Sequence, residues 1–353
     1  MLGKIGHTTQ PVEEQRYGGT HLRILVSAIL AVCLSACGRS TPEGVREVRV
    51  AMSRDGITWV PIHLAETLGY FTEQNLKVSV LYTDGLSNSM EALLTGSVNV
   101  MGGSLLQTLP LAAEGQNVRS FVLLYSRPTL AIAVAPAMAG KITDFAKLKN
   151  HKVGVSAIGS PLHMQLNFAL VKSGLSPEDV YPVPIGTGAE SLAALELGRV
   201  DAAVLVGSAI TTYERKNPHA KFLSDSRTPE GSRRMFGTDT FPSTSILAQD
   251  SWLKENHDIA GRFAKAVLKA MGWMRTHSAE EVRAQMPEAT RMPDAEADLQ
   301  AIRQAQQTLS PDGVTPDSAP QLMREFLAVS SEKVRKANID FTKTYTNEFV
   351  IDK

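Results

Sequence analysis

Apolar and polar residues alternate from Val45 to Met52, the period-two signature of a strand. The period then lengthens and shortens repeatedly along the chain. Helices are predicted at 60–68, 87–95 and 104–114, with Gly69 and Gly96 stopping the first two. Strands are predicted at 76–82, 98–101, 119–125 and 130–135. A short amphipathic turn at 141–148 follows, and then the alternation restarts. The second series runs strand 152–157, helix 160–172, strand 180–185, helix 189–197, strand 202–206, helix 208–215 and strand 221–224. Ser160 as N-cap with Pro161 at the first helical position opens one of these helices, and Gly174 closes it. From Asp250 onward the pattern is helical. Ile259, Phe263, Ala266, Val267, Ala270, Met271 and Met274 form one stripe, and Ser278 to Glu281 is a capping box.

Strands alternating with helices of this length predict an α/β protein with mostly parallel sheets and right-handed crossovers. The two series also repeat each other. Ala92-Leu93-Leu94-Thr95-Gly96-Ser97-Val98-Asn99 and Ala194-Leu195-Glu196-Leu197-Gly198-Arg199-Val200-Asp201 share an A-L-x-x-G-x-V-(N/D) pattern at an offset of 102 residues. That period is too long for a solenoid. It predicts two similar lobes, with a ligand cleft where their loops face each other.

The chain has 353 residues, no formal net charge and 43% hydrophobic residues, enough for two domains and without the basic face that nucleic acid needs. Its two cysteines, Cys33 and Cys37, lie in one apolar run, so the body holds no disulfide framework or thiolate metal site. The eight histidines are scattered with no pair at ligand spacing on a helix, so no metal is expected.

That apolar run, 24–34, follows Arg23 and has the length of a signal-peptide core, too short for a comfortable bilayer span. It ends Leu34-Ser35-Ala36-Cys37, which resembles a bacterial lipobox. The expectation is a signal peptide at 1–36, lipidation at Cys37, and a tether at 37–44. About twenty residues, Glu13 and Glu14 among them, precede the basic region, which points to a start downstream of Met1.

Ala65-Glu66-Thr67-Leu68-Gly69-Tyr70-Phe71, the repeated A-L-x-x-G-x-V-(N/D), and Phe145-Ala146-Lys147-Leu148-Lys149-Asn150-His151-Lys152-Val153-Gly154-Val155 occur in order. With these, residues 45–275 resemble the solute-binding proteins of ABC importers, in the branch for nitrate, sulfonate, taurine and thiamine-pyrimidine precursors. The resemblance implies a two-lobed type II periplasmic-binding-protein fold. Lobe 1 would comprise 45–137 and 231–353, and lobe 2 would comprise 138–230, with crossings near 130–136 and 240–248.

Ligands in open α/β sheets sit beyond the carboxyl ends of the strands. Six loops meet that rule: 53–59, 84–88, 102–104, 159–160, 186–189 and 207–208. Most carry Gly beside Ser or Thr and lead into a helix, whose N-terminal N–H groups favour an anion. The candidate ligand-binding residues are therefore Arg54, Trp59, Ser87, Asn88, Ser104, Gly159, Ser160, Thr187, Gly188 and Ser208. Arg127 is the other cation near the predicted cleft. Trp59 suits a ring or an aliphatic chain. Each Ser and Thr also reads as an ordinary helix cap, and each Gly as an ordinary turn.

No nucleophile–base pair is visible, and no cofactor is expected. The function expected is a lipid-anchored, exported binding component. It would close on a small organic anion by hinge motion and pass it to an ABC permease and its ATPase. A pyrimidine-precursor or aromatic-carboxylate binder, a receptor for a membrane sensor, and an enzyme related to pyrimidine-precursor synthases stay open as alternatives.

Overall fold

The computed structural model describes residues 44–351 apart from Arg54, Asp55 and Ser243, and leaves the side chain of Ser208 aside. The expected signal peptide, Cys37 and Arg54 lie outside the described residues.

The first lobe opens with β1 (Arg46–Ser53), α1 (Val60–Thr67), α2 (Tyr70–Glu73), β2 (Leu76–Thr83) and α3 (Leu86–Leu94). It continues with β3 (Val100–Ser104), α4 (Leu105–Ala113) and β4 (Val118–Tyr125). Gly69, at φ 76°, makes the left-handed turn between α1 and α2. The second lobe contains β5 (Leu130–Val134), β6 (Lys152–Val155), α5 (Pro161–Lys172), β7 (Tyr181–Pro184), α6 (Ala189–Glu196), β8 (Ala202–Val206), α7 (Ser208–Lys216), β9 (Lys221–Asp225) and α8 (Pro229–Phe236). The chain returns through β10 (Thr244–Gln249) into α9 (Asp250–Glu255), α10 (His257–Thr276), α11 (Ala279–Gln285), α12 (Ala295–Thr308), α13 (Ala319–Ala328) and α14 (Glu332–Lys336).

The two sheets have one topology. The first runs β2-β1-β3-β10-β4, and the second runs β7-β6-β8-β5-β9. In each, four strands run one way and one runs against them: β10 against β3 and β4, and β5 against β8 and β9. Both reversed strands are the ones that have just crossed from the other lobe. The repeat in the sequence thus has a counterpart in the strand order, with β1, β2 and β3 matching β6, β7 and β8.

The lobe boundaries differ from the expected ones. Leu130–Val134 pairs in the second sheet, so the first crossing is 126–129 rather than 130–136. Met235, Phe236 and Phe241 belong to the second lobe's core, so the return crossing lies just before Thr244. The C-terminal helices also divide. The apolar stripe of α10 and Ile302 and Ala305 of α12 pack in the first lobe's core. Met323 and Phe326 of α13 and Val334 of α14 join Phe168 and Phe236 in the second core, together with Leu105 and Leu109 of α4. Two elements, α8 and β10, are not among those predicted from the sequence. α8 is polar and starts with Pro-Glu-Gly, and β10 is a short six-residue strand.

Candidate functional site

A cavity of about 580 Å³ opens where the two crossings, both lobes and the C-terminal helices meet. That is within the usual range for a small-molecule site. The first lobe supplies Gly56, Ile57 and Thr58 from the loop after β1, and Tyr125 from the end of β4. The second supplies Thr187 and Gly188 before α6, and Val206 and Gly207 before α7. Arg127, Pro128 and Thr129 of the first crossing line its floor with Thr244. The last wall is 289–293, the segment linking α11 to α12, with Ala301 and Ala305 of α12.

The floor is a knot of hydrogen bonds. The N–H and Oγ of Ser126 both donate to the carbonyl of Thr308, at 2.8 and 3.0 Å. The N–H of Phe241 donates to the Ser126 carbonyl at 2.9 Å, tying the two crossings together. Ser226 Oγ donates to the carbonyls of Pro128 and Leu130 at 2.6 and 2.8 Å. Closely spaced crossings held in this way suit a hinge, because few dihedrals separate the lobes.

Two helices aim their N-termini at the cavity, and neither has a side-chain cap. The N-cap of α6 is Gly188, at φ 69°, and that of α7 is Gly207, at φ 52°. Glycine takes these positive φ values at low steric cost and brings no hydroxyl to occupy the first-turn N–H groups. Those groups and the helix dipoles therefore present partial positive charge to the cavity. Arg127 adds a full charge. Its Nη2 donates to the carbonyl of Gln307 at 2.9 Å, while its buried Nε has no partner. Burial pulls its pKa below the ordinary guanidinium range, and Asp239 acts the other way. Tyr125 Oη donates to the carbonyl of Ile57 at 3.2 Å, fixing the phenol against the first-lobe loop.

Thr187 and Gly188 are on the wall, and Ser208 follows Gly207 in the first turn of α7. The other described candidates are not among the lining residues. Ser104 accepts from the N–H of Leu106 and completes a capping box with Gln107. Ser160 accepts from the N–H of His163 at 3.2 Å and from Ser156 Oγ at 2.9 Å. The N–H of Gly159 donates to His163 Nδ1. Ser87 and Asn88 sit in the first turn of α3, where Asn88 Nδ2 donates to the Asp84 carbonyl. Trp59 is 1% exposed in the first core. Its indole N–H donates to Ser53 Oγ at 2.9 Å, and its ring lies so close to Gly102 that a Cβ there would come within 2.6 Å. Serine-capped α4 and α5 are self-sufficient and stay off the cavity, whereas glycine-capped α6 and α7 line it. The residues of 289–293 were not singled out from sequence, although Pro287 and Pro293 bracket the segment.

The NMT1/THI5-like family model matches residues 57–281, which spans the whole second sheet, part of the first and the cavity wall from Ile57 to Thr244. Among curated relatives, the Saccharomyces cerevisiae protein named 4-amino-5-hydroxymethyl-2-methylpyrimidine phosphate synthase THI13 is 25% identical over 319 residues, covering 85% of this chain and 89% of its own. Among solved structures, a Bordetella bronchiseptica RB50 protein superposes with a TM-score of 0.71 at 29% identity, over 86% of this chain and 95% of that one. The periplasmic aliphatic sulphonate binding protein SsuA of Escherichia coli superposes with a TM-score of 0.65 at 19% identity, over 89% and 95%. The two-lobed fold is that of the periplasmic binding proteins, and the chain belongs to the NMT1/THI5-like family.

Proposed function

We propose that the protein is the exported solute-binding component of an ABC importer and captures a small organic anion in the inter-lobe cavity. The observation that carries this reading is the pairing of two uncapped helix N-termini, at Gly188 and Gly207, with the incompletely bonded guanidinium of Arg127. Among the described lining residues the ionisable side chains are Arg127, Arg291 and Tyr125. Positive charge in a partly dehydrated cleft selects a sulfonate, a carboxylate or a nitrate-like ion. Closure about the hinged crossings would trap the ion, and a permease with its ATPase would receive it. The likeness to SsuA agrees with this reading. A binding role also fits a wall whose described side chains include no Cys, His, Asp, Glu or Lys to act as nucleophile or base. The lipobox-like Leu34-Ser35-Ala36-Cys37 supports anchoring through a lipid on Cys37, and loss of palmitate labelling in Cys37→Ser would establish it.

The test is thermal unfolding of the full chain with alkanesulfonates, taurine, nitrate, aromatic carboxylates and neutral aminopyrimidines. A ligand at about a hundred times its Kd adds about 2.7 kcal/mol of stability, a visible shift in midpoint. Anions should stabilise the wild type, and Arg127→Ala should lose at least about tenfold in affinity, as expected when a charge-assisted bond is removed. Stabilisation by aminopyrimidines alone, or by no class, sinks the reading.

A further inference from the structure

The cavity wall carries two guanidiniums on separate elements. Arg127 lies on the floor, and Arg291 lies half-buried on the C-terminal wall, the segment that links α11 to α12. Both are oriented by backbone carbonyls. Arg127 Nη2 is held by Gln307. Arg291 donates through Nε and Nη2 to the carbonyl of Met286, at 2.9 and 2.7 Å, and through Nη2 to that of Ala284 at 3.0 Å. Its Nη1 makes no hydrogen bond among the described residues. A carbonyl is neutral, so these bonds fix the guanidiniums in place without cancelling their charge.

Elsewhere the chain compensates its arginines. Arg119, Arg215 and Arg283 pair with aspartates at 3.1, 2.8 and 2.8 Å. Arg127 and Arg291 form no ion pair among the described residues, and the described lining residues include no carboxylate. Asp239, whose field reaches Arg127, is taken by Arg233 at 2.6 Å. Asp294, just beyond Arg291 in the chain, is taken by Arg215. Two fixed cations around one partly dehydrated cavity leave charge unmatched unless its occupant supplies two negative groups. A single sulfonate or nitrate answers only one of them. The cavity's volume of about 580 Å³ also suits an organic molecule better than a bare ion.

We propose that the cleft takes a dianion, an organic ligand with an anionic group at each end: one at Arg127 and the helix N-termini at Gly188 and Gly207, the other at Arg291. Disulfonates, sulfocarboxylates and dicarboxylates make up this class. The inference rests on the anion reading above and adds the ligand's second charge and the residue that selects it. Arg291 meets the second group through Nη1. Its Nε and Nη2 stay on the carbonyls at the end of α11, so the C-terminal wall does not have to rearrange to bind.

The experiment is calorimetric titration of the full chain with matched pairs, the n-alkanesulfonates and the α,ω-alkanedisulfonates of equal length, from ethane to hexane. At the length that spans the two guanidiniums, the disulfonate should bind at least about tenfold tighter than its monosulfonate. That ratio should shrink as salt rises. Arg291→Gln should bring the ratio to about one, while Arg291→Lys, which keeps the charge, should hold it above one. Both variants give up the guanidinium fork on Met286, so the difference between them reports the charge and not the fold of the segment. A ratio of about one at every length, in a wild type that still binds monosulfonates, overturns the dianion assignment alone, and so does a preference that survives Arg291→Gln. No binding of any member to the wild type overturns the anion reading and this inference with it.

Discussion

Arg215 Nη2 lies 2.8 Å from Asp294 Oδ2. The first residue ends α7 in the second lobe, and the second is the N-cap of α12, directly after the segment that walls the cavity. The pair therefore joins the second lobe to the C-terminal wall across the cleft.

This ion pair predicts a kinetic effect. Both side chains are well exposed, so the bond adds little to global stability. It should instead bias the lobes toward closure. Arg215→Ala is expected to speed ligand release by about two- to fivefold, the size of an exposed pair. Asp294→Asn should match it, because the amide oxygen still caps α12 at the N–H groups of Glu296 and Ala297. The double variant should release no faster than either single one. Stopped-flow release in rising salt checks this, and wild type and variants should converge as the charges are screened.

Gly56 sets a second expectation. A Cβ there would fall onto the backbone carbonyl of Thr290 and within 2.9 Å of its Cβ. The first-lobe loop and the C-terminal segment thus touch backbone to backbone at the cavity rim. Gly56→Ala should force 289–293 outward, costing about 1–3 kcal/mol as an overpacked contact and weakening ligand binding together with stability. Calorimetric Tm and ligand titration of one preparation test both; an unchanged Tm would show that the segment yields freely.

The architecture was legible because it rests on period. The alternation of β1, the stripe of α10 and the glycine stops at 69 and 174 are local facts, and the repeat at an offset of 102 anticipated two matching sheets. The candidate site was less legible. The loop rule names Ser104, Ser160 and Gly188 alike, because a cap and a ligand contact use the same residue types, and only Gly188 of the three lines the cavity. What separates them is whether the first-turn N–H groups are already bonded, which depends on side-chain geometry. The C-terminal wall was hidden for another reason. The segment 289–293 comes to the cavity just ahead of α12, whose Ile302 and Ala305 pack in the first-lobe core, and no local pattern records that placement.

The capping serines give a prediction that separates stability from binding. Ser104→Ala and Ser160→Ala each remove a hydroxyl that accepts from a first-turn N–H, so each should cost about 1 kcal/mol. The two lie in different lobes, and their costs should add in the double variant. Ligand affinity should stay at the wild-type value, since neither residue lines the cavity. Urea unfolding and titration of the double variant decide it. A loss of affinity without loss of stability would move the site to α4 and α5.

His63 predicts how the protein responds to acid. It lies on α1, 1% exposed, with its ring stacked on Tyr82 at 6.3 Å, and neither ring nitrogen has a hydrogen-bond partner. Burial disfavours the imidazolium and pulls its pKa down to about 4 from an ordinary 6.5. In the unfolded chain the ring protonates near pH 6.5; in the folded chain it stays neutral until about pH 4. Between those values the unfolded state holds the extra proton, so stability falls as pH drops through that window and levels off below it. The loss attributable to this ring is about 3 kcal/mol. His63→Leu should remove that slope and cost little at neutral pH, because it replaces two unpaired buried nitrogens with apolar volume of similar size. Urea midpoints at pH 7.5 and 4.5 for wild type and variant test the sign. If both proteins lose the same stability on acidification, His63 is not the group that titrates.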